Sequence, residues 1–284
     1  MNDLITVLNR HVPIIMEKSK KKILSKVEIR NELEPIRDVM CNSLDPEKLL
    51  QLIRTDAMNG PSIGKGIHVK AIHEEIEPPR DGVRYIHIEE RENIFSVGIF
   101  VFPPGYEIPL HDHPGMTVLS LVLYGKLSVK SFDIIDTEEQ KMKKRQNGTL
   151  RERTEKWFTR RLMESIVGHD MTNIKSNLSS NALHTFENEV SEIKSPTLTE
   201  LYPCEGNVHQ FIAGPQGAAV LDVLVPPYNV GDNRDCTFYK KRNESEEWCE
   251  SEKKNKVWLV PMVQPDWFQC LSGSYLNLGG DDDE

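Results

Sequence analysis

Apolar and polar positions change period along this chain, and the change marks out its architecture. Near the start, Leu4, Val7, Leu8, His11 and Val12 recur at helical spacing. Asp45-Pro46-Glu47 reads as an N-cap followed by proline at the first helical position, with Leu49, Leu50, Leu52 and Ile53 as the apolar face. The lysine-rich run from Lys18 to Lys26 reads as a solvated helix face, with a weak resemblance to a nuclear-import signal. From about Ile67 the period shortens. Val83-Arg84-Tyr85-Ile86-His87-Ile88 alternates, Ile94 to Phe102 is β-branched and aromatic, and Pro103-Pro104-Gly105 punctuates like a turn. Val118–Val122, Lys126–Phe132, Gln210–Ala213, Ala218–Val225 and Val257–Val260 continue as short strands between Gly and Pro signals. Many short strands with turns between them predict a mainly β sandwich or small barrel.

A polar, charge-mixed stretch interrupts this pattern. Within it Phe158, Leu162 and Ile166 recur every four residues before Gly168, which predicts one amphipathic helix with a glycine stop. The expected organisation is therefore a helical segment over 1–60 and a β-domain made from 61–137 and 196–275. An insertion over 138–195, part helix and part loop, divides that domain, and a disordered acidic tail occupies 276–284.

Composition narrows the class. The 284 residues carry 35 Lys and Arg against 44 Asp and Glu, a net charge of −9, with 38% hydrophobic and 28% charged residues. That balance excludes a chain disordered throughout or embedded in a membrane, and it argues against nucleic acid as the main partner. The longest apolar runs fall short of the roughly 18 residues a spanning helix needs, and Met1-Asn2-Asp3-Leu4 lacks the start of a signal peptide. Five cysteines, an odd number without a CxxC pair, make a disulfide framework or zinc finger unexpected. A reducing compartment, the cytoplasm with access to the nucleus, is the expectation, with a monomer as the expected state.

The chemistry concentrates in Ile108-Pro109-Leu110-His111-Asp112-His113-Pro114-Gly115-Met116. On a strand, side chains two apart share a face, so His111 and His113 project together while Asp112 points away. By itself His-x-His reads equally well as half of a metal site or as two surface histidines at a polar strand end. Asp222 lies in the otherwise apolar run from Ala218 to Val225, where an ionised carboxylate is costly unless paired. It reads either as locked to a buried arginine or backbone amides, or as a pocket acid. The remaining histidines have no motif around them.

The surroundings of the histidine pair resemble the two-part cupin signature. Gly105 stands six residues before His111, Gly125 twelve after His113, and Pro203-Cys204-Glu205-Gly206-Asn207-Val208-His209 brings a third histidine beside a turn. The two positions where cupins carry a glutamate ligand hold Thr117 and Val118, which leaves His111, His113 and His209. Further blocks extend the match: Leu123-Tyr124-Gly125, Asn207-Val208-His209-Gln210, the run from Leu221 to Tyr228, and Arg234-Asp235-Cys236. Together they closely resemble the cysteamine dioxygenases of animals and the plant enzymes that oxidise N-terminal cysteine, over about Val69 to Cys270 without the insertion.

This resemblance implies a cupin-type double-stranded β-helix, or jelly roll, with Fe(2+) held by His111, His113 and His209. It implies a thiol dioxygenase that joins both atoms of O2 to the sulfur of a small aminothiol or a protein N-terminal cysteine, giving a sulfinic acid. Oxygen sensing would follow if N-terminal cysteines are the substrates. In the related plant enzymes the acid matching Asp222 and the tyrosine matching Tyr228 line the active site. The animal pattern reads Cys-x-Tyr where this chain has Cys236-Thr237-Phe238, so no cysteine–tyrosine crosslink to position 238 is expected. Cys236 then reads as a small buried residue. Cys204 reads as a fourth ligand or as a buried thiol close to the site. Two rival classes are a metal- or ligand-binding cupin without activity and a cupin dioxygenase acting on a non-thiol substrate.

Overall fold

The computed structural model describes residues 1–22, 24–50, 82–135, 182–232, 234–242 and 256–274. The helix expected around Phe158, the face at Leu52 and Ile53, and the acidic tail lie outside these residues. Helix α1 (Asn2–Lys21) buries Leu4, Leu8, Val12 and Ile15, as its spacing predicts. Helix α2 (Lys26–Asp38) opens on a capping box: the Ser25 side chain accepts from the Glu28 amide while the Glu28 carboxylate accepts from the Ser25 amide. A short π-turn follows at Val39–Ser43, and Asp45 accepts from the Glu47 and Lys48 amides at the next helical start. The lysine run is an exposed, paired surface: Lys18, Lys22 and Lys26 meet Glu32, Glu28 and Glu205. Among the described residues no helix is long and apolar enough to cross a membrane.

Eleven strands follow among the described residues: β1 (Val83–Arg91), β2 (Phe95–Phe102), β3 (Glu107–Asp112), β4 (Thr117–Ile134), β5 (Leu183–Glu187), β6 (Ser191–Lys194), β7 (Leu198–Leu201), β8 (Val208–Val225), β9 (Phe238–Lys241), β10 (Lys256–Met262) and β11 (Cys270–Ser274). β4 and β8 are the frame. They pair antiparallel from Thr117 opposite Val225 to Phe132 opposite Val208. The second half of β8 carries β2 on its other edge, and the first half carries β3. From β3 the hydrogen-bonded order runs through β9, β10 and β5 back to β4, which closes a barrel.

Two expectations are corrected here. Each of β4 and β8 was expected as two strands, because glycine interrupts the apolar pattern. Pairing instead resumes beyond Gly125 and Gly217 after an irregular step, from Gly125 opposite Ala218 to Leu127 opposite Ala213, where φ angles of +70° and +76° let both strands bend. There is no room for side chains at this bend, since a Cβ on Gly125 would stand 2.1 Å from the Gly217 carbonyl oxygen. The second correction concerns residues 183–194, expected within the insertion. They form β5 and β6, which pair with β4, and β5 also pairs with β10. These strands are half exposed, so their alternation is weak in sequence.

Alternation along the frame separates two larger clusters, with smaller ones around Phe132 and around Val118. Leu119, Leu121, Leu221 and Val223 face outward and pack against α1 and α2. Phe102, Ile108, Val122, Phe211 and Val220 form a separate core with Val83 and Phe268. Ser120 and Asp222, alternating with the outward leucines, therefore point away from the helices.

Candidate metal centre

His111 lies near the end of β3 directly opposite His209 near the start of β8, and His113 follows one residue beyond β3. Strand alternation puts His111 and His113 on one face, and the ladder brings the third ring alongside. The three ring centroids are 4.9, 4.8 and 4.9 Å apart, and the ligating nitrogens lie within 4.8 Å of one another. All three residues are buried.

Hydrogen bonds fix which nitrogen faces inward. His111 Nδ1 is 2.8 Å from the Pro109 carbonyl oxygen, which can only accept, so Nδ1 carries the proton and Nε2 keeps its lone pair. The Tyr228 hydroxyl is 2.8 Å from both the Asp112 carbonyl oxygen and His113 Nδ1. It has one proton, which goes to the carbonyl, so it accepts from His113 Nδ1–H and leaves Nε2 free as well. His113 Nε2 then stands 3.1 Å from His209 Nε2. Burial disfavours protonation of the rings: it lowers His111 to about 4, and with neighbouring imidazoles it lowers His113 and His209 well below the usual range. Neutral imidazoles converging in a buried pocket are a donor set for a divalent metal such as iron, copper, nickel or zinc.

The shell around them is partly aromatic. Phe211 lies 4.5 Å from His209, Phe238 6.3 Å from His111, and Tyr228 stacks on His113 at 5.4 Å. Asn207, fully buried, accepts from the His113 amide at 3.2 Å and donates to the His113 carbonyl at 2.7 Å, tying the start of β8 to the histidine pair. Asp112 carries a buried carboxylate that accepts from the Thr237 amide and the Tyr239 hydroxyl. Burial raises it to about 6 against the pull of those two bonds.

Asp222 sits on β8 opposite Ser120 of β4 and Gly98 of β2. Its side chain has the Ser120 hydroxyl beside it, but Oδ1 has no hydrogen-bond partner. The alternative of a carboxylate locked to arginine is thereby set aside: no ion pair to Asp222 occurs among the described residues. Burial raises it to about 7. The Tyr85 ring lies across Gly98, where a Cβ would stand 2.3 Å from it, and the charge of Asp222 helps burial raise the Tyr85 phenol to about 12. Gly98 is therefore what lets Tyr85 approach this carboxylate.

The two cysteines depart from expectation. Cys236 lies in the loop before β9, exposed as a residue while its thiol turns inward. Its thiol reaches the Tyr228 hydroxyl, and desolvation together with the Asp112 charge raises it to about 12. Phe238 stands near His111 without a phenol, while the neighbouring Tyr239 hydroxyl is turned to Asp112. Cys204 is exposed and is not brought into the histidine cluster. The residues missed by sequence reasoning are Tyr85, Ser120, Asn207 as a tie and Asp112 as a partner of β9. Only Asn207, two residues before His209, offered a local signal.

A closed antiparallel barrel with three buried, converging histidines defines a cupin-type fold with a candidate metal site. The sequence model of the PCO_ADO family matches residues 67–277, and the chain belongs to that family. The 2-aminoethanethiol dioxygenase of Mus musculus is 31% identical over 210 residues, covering 72% of this chain and 74% of its own length. Plant cysteine oxidase 1 of Arabidopsis thaliana is 32% identical over 187 residues, covering 62% and 50% respectively. Among solved structures, a conserved Klebsiella pneumoniae protein with a double-stranded β-helix domain aligns with a TM-score of 0.32 at 15% identity, over 62% of this chain and 100% of that one. The chain is a dioxygenase-class oxidoreductase by this membership.

Proposed function

We propose that this protein is an iron(II) thiol dioxygenase that oxidises cysteamine, an N-terminal cysteine, or both, to the sulfinic acid. The observation that carries the reading is the convergence of three imidazoles, two of them locked with Nε2 inward by Pro109 and Tyr228, in a chain of the PCO_ADO family. Relatives named 2-aminoethanethiol dioxygenase and plant cysteine oxidase support the substrate class. Iron(II) held by His111, His113 and His209 would supply Lewis acidity toward the thiol and the electrons that activate O2. The overall change, thiol plus O2 to sulfinic acid, balances without an external reductant.

The chain's own residues then act by placement. Tyr228 holds the His113 ring, and Phe211 and Phe238 keep the walls beside the rings apolar. Asp222 offers its unpartnered oxygen to the substrate ammonium, which both candidate substrates carry one short linker from sulfur. Action on N-terminal cysteines would make turnover report O2 supply. A reducing compartment, the cytoplasm with access to the nucleus, fits Cys41, Cys236 and Cys270, none of which is in a disulfide among the described residues.

The test uses protein loaded with iron(II), given cysteamine and a cysteine-initiated peptide in parallel, with O2 uptake and product mass followed together. Two oxygen atoms added to either substrate, and lost in His111→Ala and His209→Ala, is the expected result. Bound iron without O2 uptake would leave a binding cupin or a non-thiol substrate, and the proposal would fall.

A further inference from the structure

Among the described residues the barrel is thinnest at the β3–β9 seam. β9 is paired with β10 through all four of its residues, from Phe238 opposite Met262 to Lys241 opposite Leu259. Its other edge meets β3 at a single ladder pair, His111 opposite Phe238. Asp112 supplies what the ladder lacks. Its amide donates to the Thr237 carbonyl at 3.1 Å, its carboxylate accepts from the Thr237 amide at 2.8 Å, and the other carboxylate oxygen accepts from the Tyr239 hydroxyl at 2.9 Å. Thr237 and Tyr239 flank Phe238, whose ring points the opposite way, toward His111 and Phe268.

We propose that Asp112 is a positioning residue for the oxidation site: its carboxylate closes the β3–β9 seam and so sets where Phe238 stands against His111. The role deepens the thiol dioxygenase reading and rests on it for its effect on substrate. The Asp112 backbone does a separate job, since its carbonyl accepts from Tyr228 and thereby orients His113. Replacing only the side chain therefore loosens the pocket wall while leaving the metal ligands aligned.

The experiment compares Asp112→Ala and Asp112→Asn with the parent in the iron-loaded full chain. Amide hydrogen exchange of residues 234–242, iron content and the kinetic constants for cysteamine are measured on each. In Asp112→Ala the segment should exchange about tenfold faster, as expected for losing a charge-assisted tie. Iron content should hold, and KM should rise about tenfold with kcat within about threefold, because uniform binding is lost rather than the chemistry. Asp112→Asn still accepts from the Thr237 amide and can donate to the Tyr239 oxygen, so it should restore both protection and KM. Unchanged exchange in Asp112→Ala overturns the proposal, as does an Asn variant as perturbed as the Ala one, which would mean that charge rather than position matters. If Asp112→Ala does not fold, Tyr239→Phe decides: about threefold faster exchange upholds the tie and parental exchange sinks it. Exchange is read without turnover. Loosening on substitution in a parent that oxidises no thiol would refute the functional reading and leave the seam assignment standing.

Discussion

At the scale of single residues, Asp222 couples the pocket to stability through pH. Burial, which disfavours the charged form, raises its carboxyl from 3.8 to about 7 in the fold. Between those values the folded chain binds more protons than the unfolded one, so stability falls as pH rises through that window and levels off above it. Across that window the loss is at most about 4 kcal/mol. In metal-free protein, Asp222→Asn should raise the melting temperature at about pH 8, with the gain shrinking toward zero near pH 4. A gain independent of pH would show that the carboxylate is not the source. Tyr228 gives a second residue-scale prediction. Tyr228→Phe keeps the ring stacked on His113 but removes the acceptor for Nδ1–H, and metal affinity should drop about 10- to 100-fold in a competition titration. Unchanged affinity would mean that His113 is held by packing alone.

Elements show why part of the site was legible and part was not. His111 and His113 were readable because strand alternation is local, and Asp222 because an acid interrupts an apolar run. Asp112 was misleading for the same reason: alternation turns it from the histidines, and its partners Thr237 and Tyr239 lie more than a hundred residues away in sequence. Tyr85 looked like any strand residue, since its reach depends on Gly98 of the neighbouring strand having no side chain. Glycine also hid the length of β4 and β8. In a sequence Gly125 and Gly217 read as stops, but between two strands that bend together they mark an irregular step after which the same two strands pair again. That assignment predicts that Gly217→Ala is severe. A methyl there would stand 2.6 Å from the Phe102 carbonyl oxygen on a backbone with φ +76°. The combined clash and left-handed strain should cost about 2 kcal/mol or more, measured by denaturant unfolding, whereas Gly105→Ala meets no atom within 4 Å and should cost about half as much. Equal losses at the two positions would remove the bend from the explanation.

For the whole molecule, the helices and the site share strands. Leu4, Leu8, Val12, Ile15, Leu33 and Ile36 cover the outer face of the sheet on which Leu221 and Val223 alternate with Asp222. Removing residues 1–44 would uncover Val97, Ile99, Leu119, Leu121, Leu221 and Val223, each buried now. At roughly 1.5–3 kcal/mol for each such side chain, the loss is on the order of 10 kcal/mol, comparable with the entire stability of a typical domain. The truncated chain should therefore be insoluble or bind a hydrophobic dye, and its inactivity would follow from loss of fold rather than of any ligand. The polar contacts of the same interface should matter far less. Arg37 pairs with Glu200 of β7 at a partly exposed edge, so Arg37→Ala should cost only about 1 kcal/mol and leave metal binding intact. A soluble 45–284 chain with unchanged melting and metal content would show that the helices are accessory to the barrel, and the apolar face beneath them would then need another explanation for its burial.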